Sequence, residues 1–317
     1  MDAKYAIGID VGGTTTKFGI VNQQGQIIEQ DRILSNDREN IADFIQDLYD
    51  EIMPMIDKIG GTENVLGIGM GAPNGNVYTG TIEYAPNLKW QGIIPIARLM
   101  SEKFKLPTKL TNDANAAAMG EMLYGCAKNM QHFITITLGT GVGSGIVIDG
   151  KMVVGHDGFA GELGHTIIRP GGRKHKSTGM KGSLESYASA TGVRETAIEM
   201  LAADPARGSL LRNYPLNEIS SETVCTCALQ GDELCNEVFK FTGQILGESL
   251  ANFVLFSSPE AIVLFGGLTK AGHLILNPTR HHMEANLLPI FKNKVKLIFS
   301  DLKESDAAIL GASALIW

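Results

Sequence analysis

Cysteine is scarce. Only Cys126, Cys225, Cys227 and Cys235 occur in 317 residues, too few and too unevenly spaced to frame a disulfide scaffold, so a reducing cytoplasm is expected. Long apolar runs are missing too: none approaches the roughly 20 residues that a membrane helix needs. Net charge is −7 and no basic stretch is long enough to track a phosphate backbone, which argues against a nucleic-acid partner. The opening MDAKYAIGID has no basic region followed by an apolar one, so no secretory signal is read there. Cys225-x-Cys227 with Cys235 lacks a fourth metal ligand nearby, and SSETVCTCALQGDELCNEVFKF reads as helix with buried thiols. His281-His282 reads as a solvated pair.

What is present is an α/β pattern. At 44% hydrophobic and 19% charged the chain is that of a soluble globular protein, and its length suggests about two domains. Strands are predicted at Lys4–Asp10, Lys17–Val21 and Gln26–Leu34, then a helix from about Arg38 to Ile59 with Ile41, Phe44, Ile45 and Leu48 on one face. VLGIGM is a buried strand, a helix lies near Ile93–Phe104, and TKLTND is a strand running into the helix ANAAAMGEMLYG, whose far end suits Gly125. FITITLGTGVGSGIVIDGKMV then repeats the opening in order and size: strand, Gly/Thr/Ser turn, strand, tight turn. Two such units imply two related halves. A long polar loop (Gly155–Ser183), a mainly helical section (Leu184–Ser258), the strands AIVLFGG and VKLIFS, and a closing helix DAAILGASALIW complete the chain.

The glycine loops sort by type. GxxxxGK[ST] is absent. Gly67, Gly69 and Ala72 resemble a dinucleotide fingerprint loosely, but Pro73, Asn74 and Gly75 follow where a helix should start. The turns at Gly12, Gly13, Thr14, Thr15 and at Gly139, Thr140, Gly141 each join two strands instead. Glycine admits close approach of backbone amides to an anion and threonine adds neutral donors. Two such turns at equivalent points can grip a polyphosphate from both sides. Asp10, at the root of the first, would repel phosphate unless a cation intervenes, which marks it as a magnesium partner through water. Lys17 either neutralises phosphate or is a solvated strand residue. Asp113 is either a helix N-cap or a group projecting from a strand end.

DVGGTTTK, TNDANAAAMGE, LGTGVGSG, GELGH and LFGGL occur in that order, and on these motifs the chain resembles the ROK family (repressors, open reading frames and sugar kinases), most closely its glucokinase branch. The resemblance covers essentially the whole sequence. It implies two ribonuclease-H-like domains of the actin and hexokinase type around a central cleft. We assign residues 1–120 with 303–317 to a smaller domain holding the first turn and the catalytic aspartate. Residues 121–302 form a larger one with the second turn, the sugar loop and the adenosine site. It further implies that Gly266 and Gly267 lie against adenosine, that Asp113 is the base for a sugar hydroxyl, and that Asn112, Glu162, His165 and Glu185, with Asn87, are sugar ligands. Trp90 is expected to pack beneath the Asn87 loop.

Family repressors carry an additional N-terminal DNA-binding segment, whereas this sequence opens on the first turn's strand, which indicates the kinase branch. The expected reaction is ATP- and magnesium-dependent phosphorylation of a hexose 6-hydroxyl, glucose first, by a homodimer with no nucleic-acid or membrane partner. An N-acetylmannosamine or N-acetylglucosamine kinase, a non-catalytic sugar sensor, an actin-like ATPase and a polyphosphate donor are the alternatives. One departure is informative. Much of the family has three cysteines that form a structural zinc site with the GELGH histidine; aligned on Glu185, those positions are Lys176, Thr178 and Ser183 here. Zinc is not expected, His175 does not complete a tetrahedral set, and what holds loop 171–183 is left open.

Overall fold

The computed structural model describes residues 4–35 and 37–317, so Met1–Ala3, part of the stretch read for a signal, lies outside the described residues. The first half runs β1 (Tyr5–Val11), β2 (Thr15–Asn22), β3 (Ile27–Leu34), α1 (Ile41–Lys58), β4 (Val65–Ala72), three short strands β5 (Gly75–Asn76), β6 (Thr81–Glu83) and β7 (Ile93–Ile94), α2 (Ile96–Phe104), β8 (Thr108–Asn112) and α3 (Asp113–Leu123). Then follow β9 (Phe133–Leu138), β10 (Val142–Ile148) and β11 (Lys151–Met152), with helices α4 (Glu185–Ala188), α5 (Ala190–Ala203), α6 (Ser221–Leu229) and α7 (Glu233–Ser257). The chain closes with β12 (Ala261–Phe265), α8 (His273–Asn286), β13 (Lys296–Phe299) and α9 (Glu304–Ser313). No helix of the described residues is long and apolar enough to cross a membrane.

Two five-stranded sheets share one strand order, β3-β2-β1-β4-β8 and β11-β10-β9-β12-β13. The duplicated pattern in the sequence is thus a duplicated topology. In the first sheet β1 is antiparallel to β2 and parallel to β4, and β4 is parallel to β8. Its central strands are apolar nearly throughout because both faces are covered. On one face α1 buries Phe44, Leu48 and Ile52 with Ile7, Ile9, Phe18, Ile20, Ile68 and Met70. Asn40 caps α1 by accepting from the Ala42 amide, which starts the helix three residues inside the predicted span. On the other face, Gly8 pairs with Gly19 on one side and Gly69 on the other. A Cβ on Gly8 would lie 2.0 Å from the Ile309 carbonyl oxygen, and one on Gly69 1.9 Å from that of Ala312. Only glycine there lets α9 lie backbone-close on the sheet.

By compactness the chain divides into one unit of residues 1–131, 145–161 and 300–317 and another of 132–144 and 162–299. Three local expectations are corrected. The first glycine turn is short: β2 already begins at Thr15, so only Gly12–Thr14 lie between strands, and the Gly12 amide donates to the Thr15 carbonyl at 3.2 Å. The cysteine-bearing stretch is two helices, broken at Gly231 (φ +92°) and restarted by Asp232, which accepts from the Cys235 amide at 3.0 Å. Gly125 does not end α3 in a left-handed conformation; it makes room for Glu121, whose Oε2 a Cβ would approach to 2.2 Å. Cys227 and Cys235 are buried free thiols, as read.

Candidate functional site

In the first unit three parallel strands end side by side. β1 ends beyond Asp10, β4 beyond Gly71 and β8 at Asn112, with Asp10 paired to Gly71 and Asn112 to Ala72. In parallel α/β sheets, the carboxyl ends of the strands are where ligands bind. A Cβ on Gly71 would lie 3.5 Å from the Asp113 Cα and 3.8 Å from Asp10 Oδ1. The nearest atom would be the Ala116 Cβ at 3.1 Å, so Gly71 lets the start of α3, and with it Asp113, lie close to β4 beside Asp10. Its role escaped the sequence because GIGMGAPNG reads equally as a plain buried strand.

The two carboxylates have different surroundings. Asp10 is half-buried and its carboxyl is pushed up to about 6, by burial first, then by the neighbouring Asp113 charge, with Lys17 opposing. Lys17 is the β2 residue paired with Asp10, so it shares that side of the sheet. Asp113 is raised as well, by desolvation, against the Ala114 amide donating to its Oδ1 at 2.8 Å. Yet its accessible area is that of an exposed residue. The helix cap is Asn112, not Asp113: Asn112 has extended φ/ψ and its Oδ1 accepts from the Ala114 amide at 2.8 Å. Asp113 is the first helical residue, its carboxylate at the positive end of α3.

The first turn stands beside these groups. Thr14 and Thr15 follow Gly12 and Gly13, while Thr16 turns inward and bonds Ser35 at 2.8 Å, fully buried. A Cβ on Gly13 would lie 2.7 Å from the Asn87 carbonyl oxygen and 3.4 Å from its Nδ2, so the exposed Asn87 loop reaches the turn. Trp90 packs under that loop as expected: its ring sits 4.4 Å from Phe44 and its Nε1 donates to the Arg38 carbonyl at 3.1 Å. Magnesium fits the donor set here, since a hard cation takes carboxylate oxygen and would relieve the Asp10–Asp113 repulsion.

In the second unit the turn Gly139–Gly141 joins β9 to β10. Gly266 (φ +104°) stands on the next strand, where a Cβ would lie 2.7 Å from the Leu138 carbonyl oxygen, and Gly267 opens the turn of helix after it. The predicted adenosine glycines and the second turn are thus neighbours. The start of α5 ties the turn down: the Ala190 amide donates to Gly139 and the Thr191 hydroxyl to Thr140. Glu162 and His165 flank a short 3-10 turn, 3.8 Å apart between Oε2 and Nε2. Gly164 within it would clash at 1.9 Å with the Val142 carbonyl if it carried a Cβ, so GELGH lies hard against the end of the second turn. Glu185 reaches the same residue: its Oε2 accepts from the Val142 amide at 2.8 Å.

The zinc that much of the family carries does not fit these residues. Lys176 pairs with Glu195, the Thr178 hydroxyl meets His175 Nδ1, and the buried Ser183 hydroxyl bonds Ser186. None offers a thiolate, and among the described residues the potential ligand atoms that converge are those of Glu121, Cys126 and Asp301, away from this loop. His165 Nδ1 is buried without a hydrogen-bond partner.

Comparison with known proteins follows this geometry. The sequence profile of the ROK family matches residues 6–317. A glucokinase of Halalkalibacterium halodurans is 34% identical over 321 residues, spanning 100% of this chain and 96% of the relative. A xylose repressor of Caldicellulosiruptor bescii is 30% identical over 99% of this chain and 78% of its own length. The crystal structure of a ROK family glucokinase from Streptomyces griseus, in complex with glucose and AMPPNP, superposes with a TM-score of 0.80 at 28% identity, covering 98% of each chain.

Proposed function

The chain belongs to the ROK family, and from the chemistry of its two sets of strand-end residues we propose that it is an ATP-dependent hexose kinase converting glucose to glucose 6-phosphate. Its fold is the two-domain α/β fold of the ROK sugar kinases. The observation that carries the reading is Asp113, a solute-accessible carboxylate where a strand ends, near enough to Asp10 for its charge to push the Asp10 carboxyl up.

Phosphoryl transfer needs positioning, charge neutralisation and an acceptor for the hydroxyl proton. Asp113 takes the 6-hydroxyl proton; desolvation raises its basicity, and the Ala114 amide, donating to Oδ1, opposes that rise by favouring the ionised form. Asn112, Glu162, His165, Glu185 and Asn87 bond the remaining hydroxyls, a mixture of donors and acceptors that suits vicinal diols. The two glycine turns, with Lys17, receive the triphosphate, and Gly266 and Gly267 the adenosine. Asp10 would hold magnesium, and the ion would supply neutralisation of phosphate charge. Glucose and a nucleotide analogue occupy the Streptomyces griseus relative together, which supports this pairing of substrates.

Similarity to a xylose repressor favours a second reading, a sugar sensor without catalysis. An N-acetylhexosamine kinase would use the same residues with more room at the sugar 2-position. The test is ADP release from Mg-ATP with glucose, mannose, fructose, N-acetylglucosamine and N-acetylmannosamine. Glucose-specific stimulation is expected. Preference for an N-acetyl sugar would move the acceptor, and sugar binding without ADP release would select the sensor.

A further inference from the structure

Loop 167–183 is closed as a hairpin without metal. Ile167 bridges Ser183 and Lys174 bridges Lys181, and its tip is tight: the His175 amide donates to Met180 at 2.8 Å and the Gly179 amide to His175 at 3.0 Å. Arg173 fastens the base of the hairpin to the helices beneath it. Its guanidinium donates to the Ser186 and Gly192 carbonyls, to the Thr196 hydroxyl and to Glu199, and stacks 4.7 Å over the Tyr187 ring. The Tyr187 hydroxyl in turn accepts from the Arg173 amide at 2.7 Å. A guanidinium this fully used is a rigid anchor rather than a surface charge.

The anchor presents His175 to Glu185. The Thr178 amide donates to the imidazole Nδ1 at 3.4 Å, with the Thr178 and Ser177 hydroxyls 3.0 and 3.2 Å from the same nitrogen, so Nδ1 accepts and Nε2, which faces the Glu185 carboxylate, carries the proton. Nε2 is 3.0 Å from Glu185 Oε1, with both side chains largely buried at 14% and 12% exposure. The other oxygen of the same carboxylate accepts the Val142 amide, where the second glycine turn enters β10. One carboxylate is therefore held at both oxygens, from the loop tip on one side and from the turn on the other. Gly141 is fitted to it: a Cβ there would lie 2.3 Å from Glu185 Oε2.

We propose that His175 is a positioning residue that fixes Glu185 through its Nε2–H, doing in this chain, without metal, what fixes the sugar loop against the second glycine turn. Its effect on sugar affinity rests on the reading of Glu185 as a sugar ligand. Its effect on the Val142 amide does not. A carboxylate has about four lone-pair sites, so two remain for hydroxyls once the His175 and Val142 donors are placed.

The experiment compares His175→Phe, which keeps a ring and removes the donor, with His175→Gln, which returns an N–H at similar reach, and with Glu185→Gln, all in the full chain. Glucose KM and kcat with Mg-ATP are measured beside the amide proton shift of Val142 in ¹⁵N-labelled protein. His175→Phe is expected to raise glucose KM about tenfold, with kcat changed less, and to move the Val142 amide upfield; His175→Gln restores most of both. An unchanged Val142 amide in His175→Phe overturns the proposal, as does His175→Gln behaving like His175→Phe. If His175→Phe does not fold, the Val142 shift of Thr178→Val, which removes the hydroxyl that orients the ring at Nδ1, must move the same way. If Glu185→Gln leaves glucose KM unchanged while the Val142 amide still follows His175, the sugar role of Glu185 fails and the positioning stands. Loss of glucose affinity on adding 1,10-phenanthroline to the natural protein would overturn the metal-free brace.

Discussion

At the first glycine turn the strand ends DVGGT; at the second it ends TLGTG, with Thr137 where Asp10 stands. The backbone solution is the same and the sheets share one strand order, but the electrostatics differ. Asp10 is a carboxylate held against burial and against Asp113. Thr137 is neutral and self-satisfied, its hydroxyl accepting from the Gly143 amide at 3.0 Å. The first turn rests on few fixed contacts of its own, whereas the second is tied by Ala190, Thr191 and Glu185. Carboxylate repulsion is kept at one turn and absent from the other, an asymmetry that the proposed use of a cation at the first turn alone accounts for. A duplicated fold has thus placed the charge on one side alone.

The largest effect is expected at Asp113, which stands against the charged turn. Asp113→Asn should lower glucose-dependent ADP release by about a hundred- to ten-thousandfold. Thermal stability should hold or rise, because a desolvated carboxyl is removed. A variant that melts well below the natural protein would make Asp113 structural instead.

Asp10 and Thr137 test the comparison directly. Because the Asp10 carboxyl is raised from 3.8 to about 6, the folded protein binds more protons there than the unfolded chain between those values. Stability should therefore fall as pH rises across that window, by up to about 3 kcal/mol. In protein kept in EDTA, Asp10→Asn should remove that fall and be more stable at pH 7, while losing activity. Thr137→Val should cost about 1 kcal/mol, at every pH alike, through the lost bond to the Gly143 amide. Denaturant melts at pH 4.5 and 7 separate the two; equal pH slopes in the natural protein and Asp10→Asn would mean that Asp10 is not the strained group.

Both turns, Asp10 and Asp113 are legible as positions because each announces itself locally, by glycine and hydroxyl content or by a carboxylate at a strand end, whereas Glu162 and His165 are singled out only by the family resemblance. The duplicated strand order was legible from two apolar strands around each turn. What the sequence hid depends on approach between distant segments. Gly8 and Gly69 look like ordinary strand residues until α9 lies on them, and Gly71 until the start of α3 lies close to it. Asn112 and Asp113 are both good caps, and only the observed φ/ψ selects Asn112. His175 was visible yet set aside, because it was judged as a metal ligand; its partner Glu185 is ten residues on, brought near by a hairpin whose Lys174–Lys181 pairing has no local signature.

The smallest structural effect is expected at Gly139, where it is also the most informative. Its φ is outside the left-handed region and a Cβ there would meet nothing within 4 Å. Gly139→Ala should therefore change stability by no more than about 0.5 kcal/mol. Gly13→Ala, by contrast, drives a Cβ to 2.7 Å from the Asn87 carbonyl and should cost about 1–3 kcal/mol. The open space at Gly139 leaves room for a ligand, which the substitution probes. If that is a nucleotide phosphate, Gly139→Ala raises the KM for ATP several-fold at unchanged melting temperature and unchanged glucose KM. If the ATP KM does not move, the second turn does not approach phosphate, and its likeness to the first is inherited backbone without the function.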